Sequence, residues 1–249
     1  MPPKIYMGCH NLFAMKLSII MPMYNARNIQ RNIEEAKRNI EMIKVPYELI
    51  IVDDGSTNDC FQEAQQVKGK NVKVVGYKPN QGKGNAIKYG FQYVSGDYVA
   101  FVDSGRDINP FQLGSFLKMM QEKSVDIVVG SKRHAESSVY YPYARRVMSR
   151  TYQAINHILF NLNIQDTQVG LKLFKYAMIK KIFPKIAVKR FAFDLELLVI
   201  AKKMNAKILE APVAIRYKFG STINLKAVFW ILLDTAAIFY RDKIIRYYD

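Results

Sequence analysis

The sequence predicts an α/β domain with a largely parallel sheet, and three observations predict it. Short β-branched runs alternate with helical patterns through the first half of the chain, the signature of successive βα units. Three of those runs end in polar or acidic residues, where open α/β sheets hold their ligands. Finally, 249 residues at 50% hydrophobic and 23% charged are enough for one sizeable core and argue against disorder.

The strands read as LSIIMPM (17–23), YELIIVD (47–53), VKVVGY (72–77), DYVAFVD (97–103) and VDIVVGS (125–131). Between the first two, Ile29, Ile33, Ala36, Ile40 and Ile43 recur at helical spacing behind Asn28, a plausible cap. Weaker helical patterns cover 57–67, 84–94 and 111–122. Beyond Gly130 the alternation loosens. A long helical stretch at 143–161 leads into DTQVGLKLFK, then a helix at 194–204, the strand-like KILEAPVAIRY and a terminal apolar helix. No repeat or low-complexity segment interrupts the chain. The expected organisation is an extension at 1–16, a nucleotide-binding domain at 17–222 and a C-terminal amphipathic helix at 223–249.

Charge narrows the partners. A net charge of +16 favours an anionic partner, whether nucleic acid, an acidic lipid surface or a phosphorylated substrate. No nucleic-acid-binding motif accompanies it, so nucleic acid is not expected as a partner. Cys9 and Cys60 have neither metal-ligand nor disulfide-framework spacing, as expected of a reducing compartment. The first fourteen residues hold no apolar run of signal-peptide length, and Met15 directly precedes the first strand.

The most apolar stretch, Leu225 to Tyr240, is interrupted by Lys226 and Asp234, short of the about 20 mostly apolar residues that a span needs. Two readings stand for it: an interfacial helix led by Phe229, Trp230 and Tyr240, or a helix that packs on the core. Lys172, Lys175, Lys180, Lys181, Lys185, Lys189 and Arg190 follow one another with no acidic residue between them. That run suits either anionic headgroups or an ordinary solvated helix face.

The strand ends carry the chemistry. Strand one runs into Pro22, Tyr24 and Asn25, strand two into Asp53-Asp54-Gly55-Ser56, and strand four into Asp103-Ser104-Gly105-Arg106-Asp107. A single aspartate there is usually a turn or cap residue; three segments converging on one edge point to a site. No GxGxxG follows strand one and no Walker A sequence is present, which argues against a dinucleotide dehydrogenase or a P-loop enzyme. Gly82-Lys83-Gly84 reads either as a short backbone cradle for phosphate or as the start of a helix.

From Leu17 to Tyr217 the chain resembles the family 2 glycosyltransferases, and within them the dolichyl-phosphate mannose and dolichyl-phosphate glucose synthases. The matching pieces are IIMPMYN (19–25), IIVDDGST (50–57), NQGKGNAI (80–87), the aspartates at 103–107, GSKR (130–133), DTQVGLKLF (166–174) and RFAFDLELL (190–198). VDDGS marks the wide family; DTQxGxK followed by RxxFDxE is specific to the polyprenyl-phosphate branch.

The resemblance implies a GT-A fold and inverting transfer of a hexose from a nucleotide-sugar to dolichyl or other polyprenyl phosphate, at the cytoplasmic face of a membrane with no spanning helix. It assigns Pro22, Tyr24 and Asp53 to the base and ribose, and Asp103 and Ser104 to the sugar and diphosphate. Asn25, Asp54 and Lys83 fall in the donor motifs; Arg216 and either Lys189 or Arg190 match donor-side cations. Arg133 and Arg146 match residues for the acceptor phosphate. Asp103, Asp107 and Asp194 are the expected catalytic residues; because a phosphate acceptor is already ionised near neutral pH, a general base is dispensable and Asp194 is expected to orient the acceptor.

Two departures stand out. Relatives carry Asp-x-Asp where this chain has Asp103-Ser104-Gly105, so Asp103 with Asp107 is the expected ligand pair for Mg²⁺ or Mn²⁺. A lysine common in relatives is replaced by Thr222. GDP-mannose and UDP-glucose both fit as donors: the wording of DTQVGLKLF and RFAFDLELL leans to the glucose synthases, and the lack of an N-terminal anchor to the mannose synthases. Two alternatives remain at this level, a transferase with a soluble or polysaccharide acceptor and an inactive membrane-binding module of the same fold.

Overall fold

The computed structural model describes residues 15–67, 69–139, 143–190, 192–215 and 225–249, without the side chains of 143–146 and 225–227. Nine strands and eight α-helices are found among them: β1 (Leu17–Met23), α1 (Ile29–Glu41), β2 (Tyr47–Asp53), α2 (Cys60–Gln65), β3 (Val72–Gly76), α3 (Lys83–Phe91), β4 (Tyr98–Phe101), α4 (Leu113–Glu122), β5 (Ile127–Ser131), β6 (Ser138–Val139), α5 (Tyr143–Phe160), β7 (Lys172–Lys175), α6 (Tyr176–Ile182), α7 (Phe193–Lys203), β8 (Ile208–Pro212), β9 (Ala214–Ile215) and α8 (Leu225–Phe239).

Seven strands form one sheet in the order β3-β2-β1-β4-β7-β5-β8, and β6 pairs with β9 in a separate ribbon. β1 is parallel to both β2 and β4, and β2 to β3. Every residue of β1 is buried, as expected of a parallel strand covered on both faces. α1, α2 and α4 pack on one face of the sheet, and α3, α6 and α7 on the other. α1 buries Ile29, Ile33, Ala36 and Ile40, the stripe that the helical spacing marks. The order of the sheet reverses at β1, with β2 on one side and β4 on the other. The crevice beyond the carboxyl ends of β1 and β4 is therefore the topological switch point, where such sheets bind ligands.

Two expectations need correction, and one unassigned segment gains a structure. Asn28 precedes α1 in a left-handed conformation (φ 53°) and its side chain makes no capping hydrogen bond. DTQVGLKLFK contains a strand: β7 inserts antiparallel between β4 and β5. The basic run from Lys172 to Arg190 is no single face. Lys172 is 1% exposed in the middle of the sheet, Lys175 pairs with Asp126 at 3.0 Å, and Lys185 donates to the Tyr248 carbonyl at 2.8 Å.

Candidate active site

A cavity of about 650 Å³ opens at the switch point, walled by Pro22 and Tyr24 at the end of β1, Asp103 to Gly105 after β4, and Asp54, Lys83, Gln168, Arg190, Asp194 and Trp230 from elsewhere. A smaller cleft of about 100 Å³ adjoins it, sharing Asp103, Gly105 and Gln168 and adding Asp107, Lys132 and Gly170. Asp103 and Asp107 thus face one cleft, as their placement on a single strand-end loop predicts.

A chain of charges crosses the floor. Lys83 Nζ lies 2.8 Å from Asp103 Oδ1 and 3.5 Å from Asp194 Oδ2. Asp194 Oδ1 in turn accepts from Lys172 Nζ at 2.7 Å, and the same ammonium donates to the Val169 carbonyl at 2.6 Å. Burial opposes charge on Lys83, but Asp103 and Asp194 outweigh it and hold the ammonium above its ordinary value. Burial likewise works against the Asp194 carboxylate, and Lys172 and Lys83 overcome it, leaving its pKa below the usual carboxylate range. Lys172, more deeply enclosed, is pulled below the ordinary lysine value by burial despite Asp194 beside it. An ionised Asp194 is the form that this arrangement favours.

The segment around DTQVGLK builds this floor from below. Asp166, 1% exposed, accepts from Lys132 Nζ at 2.9 Å and from the Lys132 backbone amide at 3.1 Å, which fixes the turn after β5. Gly170 lies so close to Asp103 that a β-carbon on it would sit 1.8 Å from Asp103 Oδ2. Only glycine leaves the carboxylate its place. Gly170→Ala is accordingly expected to push Asp103 aside and lower turnover about 100-fold, with little loss of stability. Steady-state rates read beside a thermal melt check this.

The aspartates after β2 play different parts from each other. Asp53 is 3% exposed and accepts from the Ser56 backbone amide at 3.2 Å and from the Ser56 hydroxyl. It does not line the cavity. Asp54 does, yet its carboxylate accepts from Tyr77 Oη at 2.7 Å, Gln81 N at 2.9 Å and Gly82 N at 2.9 Å. The Gln81 and Gly82 amides are thereby directed at Asp54, and Gly82-Lys83-Gly84 is the start of a helix that begins at Lys83. Asn25 joins the ends of β1 and β2 through Asn25 N to Ser56 Oγ, 2.9 Å, and Thr57 N to Asn25 Oδ1, 2.8 Å.

On the opposite wall the Arg190 guanidinium stacks over the Trp230 ring, 4.1 Å from its centroid, a cation–π contact. Lys189 is exposed and turns its carbonyl to Asn85 N at 3.1 Å. Arg133 Nη2 reaches Ser149 Oγ at 3.5 Å. Arg216, Thr222 and the side chain of Arg146 lie outside the described residues. Lys132, Gln168, Gly170, Lys172 and Trp230 belong to the site but not to the residues that strand-end reasoning selects. The DTQxGxK pattern was the available signal for three of them.

The chain matches the family described as Glycosyl transferase family 2 over residues 18–183. Among curated proteins it is 29% identical over 215 residues to the dolichyl-phosphate beta-glucosyltransferase of Dictyostelium discoideum, covering 79% of this chain and 65% of that one. The human dolichyl-phosphate beta-glucosyltransferase is also 29% identical, covering 80% of this chain and 66% of its own length. The chain therefore spans about two-thirds of the length of these relatives. Among solved structures, glucosyl-3-phosphoglycerate synthase from Mycobacterium tuberculosis, in complex with Mn²⁺, UDP and phosphoglyceric acid, superposes with a TM-score of 0.70 at 16% identity, covering 92% of this chain and 80% of that one. Mannosyl-3-phosphoglycerate synthase from Rubrobacter xylanophilus gives 0.70 at 16% identity, covering 92% and 75%. The fold is that of the GT-A glycosyltransferases.

Proposed function

We propose that this chain, which belongs to glycosyl transferase family 2, transfers glucose from UDP-glucose to dolichyl phosphate at a membrane surface. The observation that carries this reading is the convergence of Asp103, Lys83 and Asp194 on one cavity at the switch point, in a chain whose relatives are dolichyl-phosphate beta-glucosyltransferases. Those relatives, and the UDP-glucose in a neighbour of the same fold, favour UDP-glucose over GDP-mannose.

Pro22 and Tyr24 form the wall suited to the base, with Asp53 and Asn25 bracing the loops beneath it. The cationic groups of Lys83 and Arg190 face the same cavity and suit the diphosphate. Asp103 and Asp107, hard oxygen donors on one cleft, fit Mg²⁺ or Mn²⁺. No cluster of three or more potential metal ligands occurs among the described residues, and none is needed, because such an ion takes one or two carboxylates and completes its shell with substrate phosphate oxygens and water. When bound, the ion supplies positive charge that offsets the charge developing on the departing diphosphate.

The acceptor phosphate is already ionised near neutral pH, so no general base is required. One of its oxygens attacks the anomeric carbon as the bond to the diphosphate oxygen breaks; the electron pair leaves with UDP and the anomeric configuration inverts. Asp194, held ionised between Lys172 and Lys83, orients rather than deprotonates. Arg133 and Arg146 are assigned to the acceptor phosphate on the family resemblance alone, and Lys132 and Gln168 line the cleft that holds Asp103 and Asp107.

The C-terminal helix supports the membrane part of the proposal. Among the described residues no helix is long and apolar enough to cross a membrane. α8 nevertheless exposes Phe229, Leu232 and Leu233, and the turn after it Tyr240 and Ile244, at the spacing of one helical face. Lys243 and Arg246 flank them, exposed. An apolar stripe with cations beside it is suited to an anionic interface. The double substitution Phe229→Asp with Leu232→Asp is expected to weaken sedimentation with phosphatidylserine-containing vesicles at least tenfold while leaving UDP binding unchanged.

Transfer is tested by offering UDP-glucose and GDP-mannose against dolichyl phosphate and against 3-phosphoglycerate, with and without Mn²⁺, and identifying products by mass spectrometry. Glucosylated dolichyl phosphate is the expected product. Glucosyl-3-phosphoglycerate instead would transfer the reading to the soluble-acceptor enzymes that share the fold.

A further inference from the structure

Glu196 is fully buried on α7, two residues after Asp194, and it is ligated from two separate segments. One oxygen, Oε2, accepts from the backbone amides of Ala187 at 3.0 Å and Val188 at 2.6 Å. The other, Oε1, accepts from Arg241 Nε at 3.2 Å, lies 3.0 Å from Arg241 Nη2, and takes the Tyr248 hydroxyl. A buried carboxylate is expensive unless every lone pair is used, so both segments are held in place by the same charge.

Each segment leads to the donor cavity. The loop whose amides bind Glu196 continues directly into Lys189 and Arg190. It lies against the start of α3: the Asn85 amide donates to the Lys189 carbonyl at 3.1 Å, and a β-carbon on Gly82 would stand 2.6 Å from that carbonyl. Arg241 and Tyr248 belong to the tail that continues α8, the helix whose Trp230 carries the Arg190 guanidinium. The loop and α8 meet at the Arg190–Trp230 stack on one side and at Glu196 on the other. Asp234 of α8 feels the charges of Arg190 and Arg241, but among the described residues its Oδ2 has no hydrogen-bond partner.

We propose that Glu196 is a positioning residue: by binding the 187–188 amides and the C-terminal tail together, it sets the Arg190–Trp230 wall of the donor cavity. The exposed apolar face of α8 is continuous with this clamp, so the donor wall and the proposed membrane-facing helix form one unit. The donor-binding consequence rests on the UDP-glucose reading above; the placement of Arg190 does not.

Trp230 is the chain's single tryptophan, and its emission reports the stack directly. Glu196→Gln keeps the shape but turns one acceptor into a donor, facing either the guanidinium or the two amides. Intrinsic fluorescence of the wild type, Glu196→Gln, Arg190→Ala and the double variant is to be recorded with UDP titrations on each. The expected result is that Glu196→Gln shifts Trp230 emission in the same direction as Arg190→Ala and weakens UDP about tenfold, with the double variant no worse than Arg190→Ala alone. Emission identical to wild type, or effects of the two substitutions that simply add, would overturn the proposal. Should Glu196→Gln fail to fold, Tyr248→Phe, which removes the hydroxyl that donates to Glu196 Oε1 and accepts from Arg241 Nε, carries the same expectation with a smaller shift, and an unmoved emission there overturns it equally. A wild type that does not bind UDP refutes the donor reading, while the emission shift continues to decide the role of Glu196.

Discussion

Lys172→Met is expected to lower the melting temperature by roughly 10 °C, on the reasoning that breaking a buried ion pair costs about 3–5 kcal/mol and that each kcal/mol is worth about 2–4 °C in a domain of this size. Methionine fills nearly the same space, so the loss is electrostatic. It leaves Asp194 with Lys83 alone, at 3.5 Å, and leaves the Val169 carbonyl without its donor. The lower end of the range applies because Lys83 stays. The companion variant Lys172→Met with Asp194→Leu removes both charges and is expected to recover much of the stability but none of the transfer. Acid unfolding gives an independent check. Asp194 is held below the unfolded carboxylate range, so its contribution is present at neutral pH and lost as pH falls through the depressed native value. Lys172→Met should therefore unfold at a higher pH than the wild type. A melt unchanged within 2–3 °C, on the scale of about one kcal/mol, would show that the buried pair is not a support of the site.

The second large effect is on chemistry alone. Asp103→Ala is expected to lower transfer by about 10³-fold, the size of effect seen when a preorganised electrostatic group is removed from a reacting centre. Its side chain is 48% exposed, so the melting temperature should move little. Asp103→Asn keeps the shape and removes the charge, and should lose nearly as much. Near wild-type turnover in both variants would remove Asp103 from the site. Full loss in alanine but not asparagine would assign it a spatial rather than an electrostatic role.

β1, β2, β4 and β5 were legible because they are short, apolar and largely buried, a pattern that few other environments demand, and the partly buried β3 was legible from its β-branched valines. β7 was not. Half of its four residues are lysines, and a run of Lys-Leu-Phe-Lys reads as surface until Lys172 is given a buried partner 22 residues further on, at Asp194. The same long-range pairing hid the meaning of the basic run. Asp103 and Asp107 were legible from position, because a strand end at a sheet's switch point exposes whatever follows it. The choice between Asp53 and Asp54 was not, since it depends on the turn at Gly55, where φ is +72° and a β-carbon would meet Asn80 N at 2.5 Å. That turn buries the first carboxylate under Ser56 and leaves the second at the cavity edge. Gly170 shows the limit most plainly: its importance lies in the absence of a side chain, and only the position of Asp103 across the sheet gives that absence a meaning. The specific motifs DTQxGxK and RxxFDxE were visible as patterns, and the structure supplies their physical content. Asp166 fixes a turn, Gly170 admits Asp103, Lys172 clamps Asp194, and Glu196 ties the chain's end to the loop before Arg190.

The most direct test of the central claim is a crystal structure grown with UDP and Mn²⁺. The uracil is expected against Pro22 and Tyr24, with the diphosphate between Lys83 and Arg190 and the ion at Asp103 and Asp107. A nucleotide bound away from that crevice, with Asp103 untouched, would contradict the account.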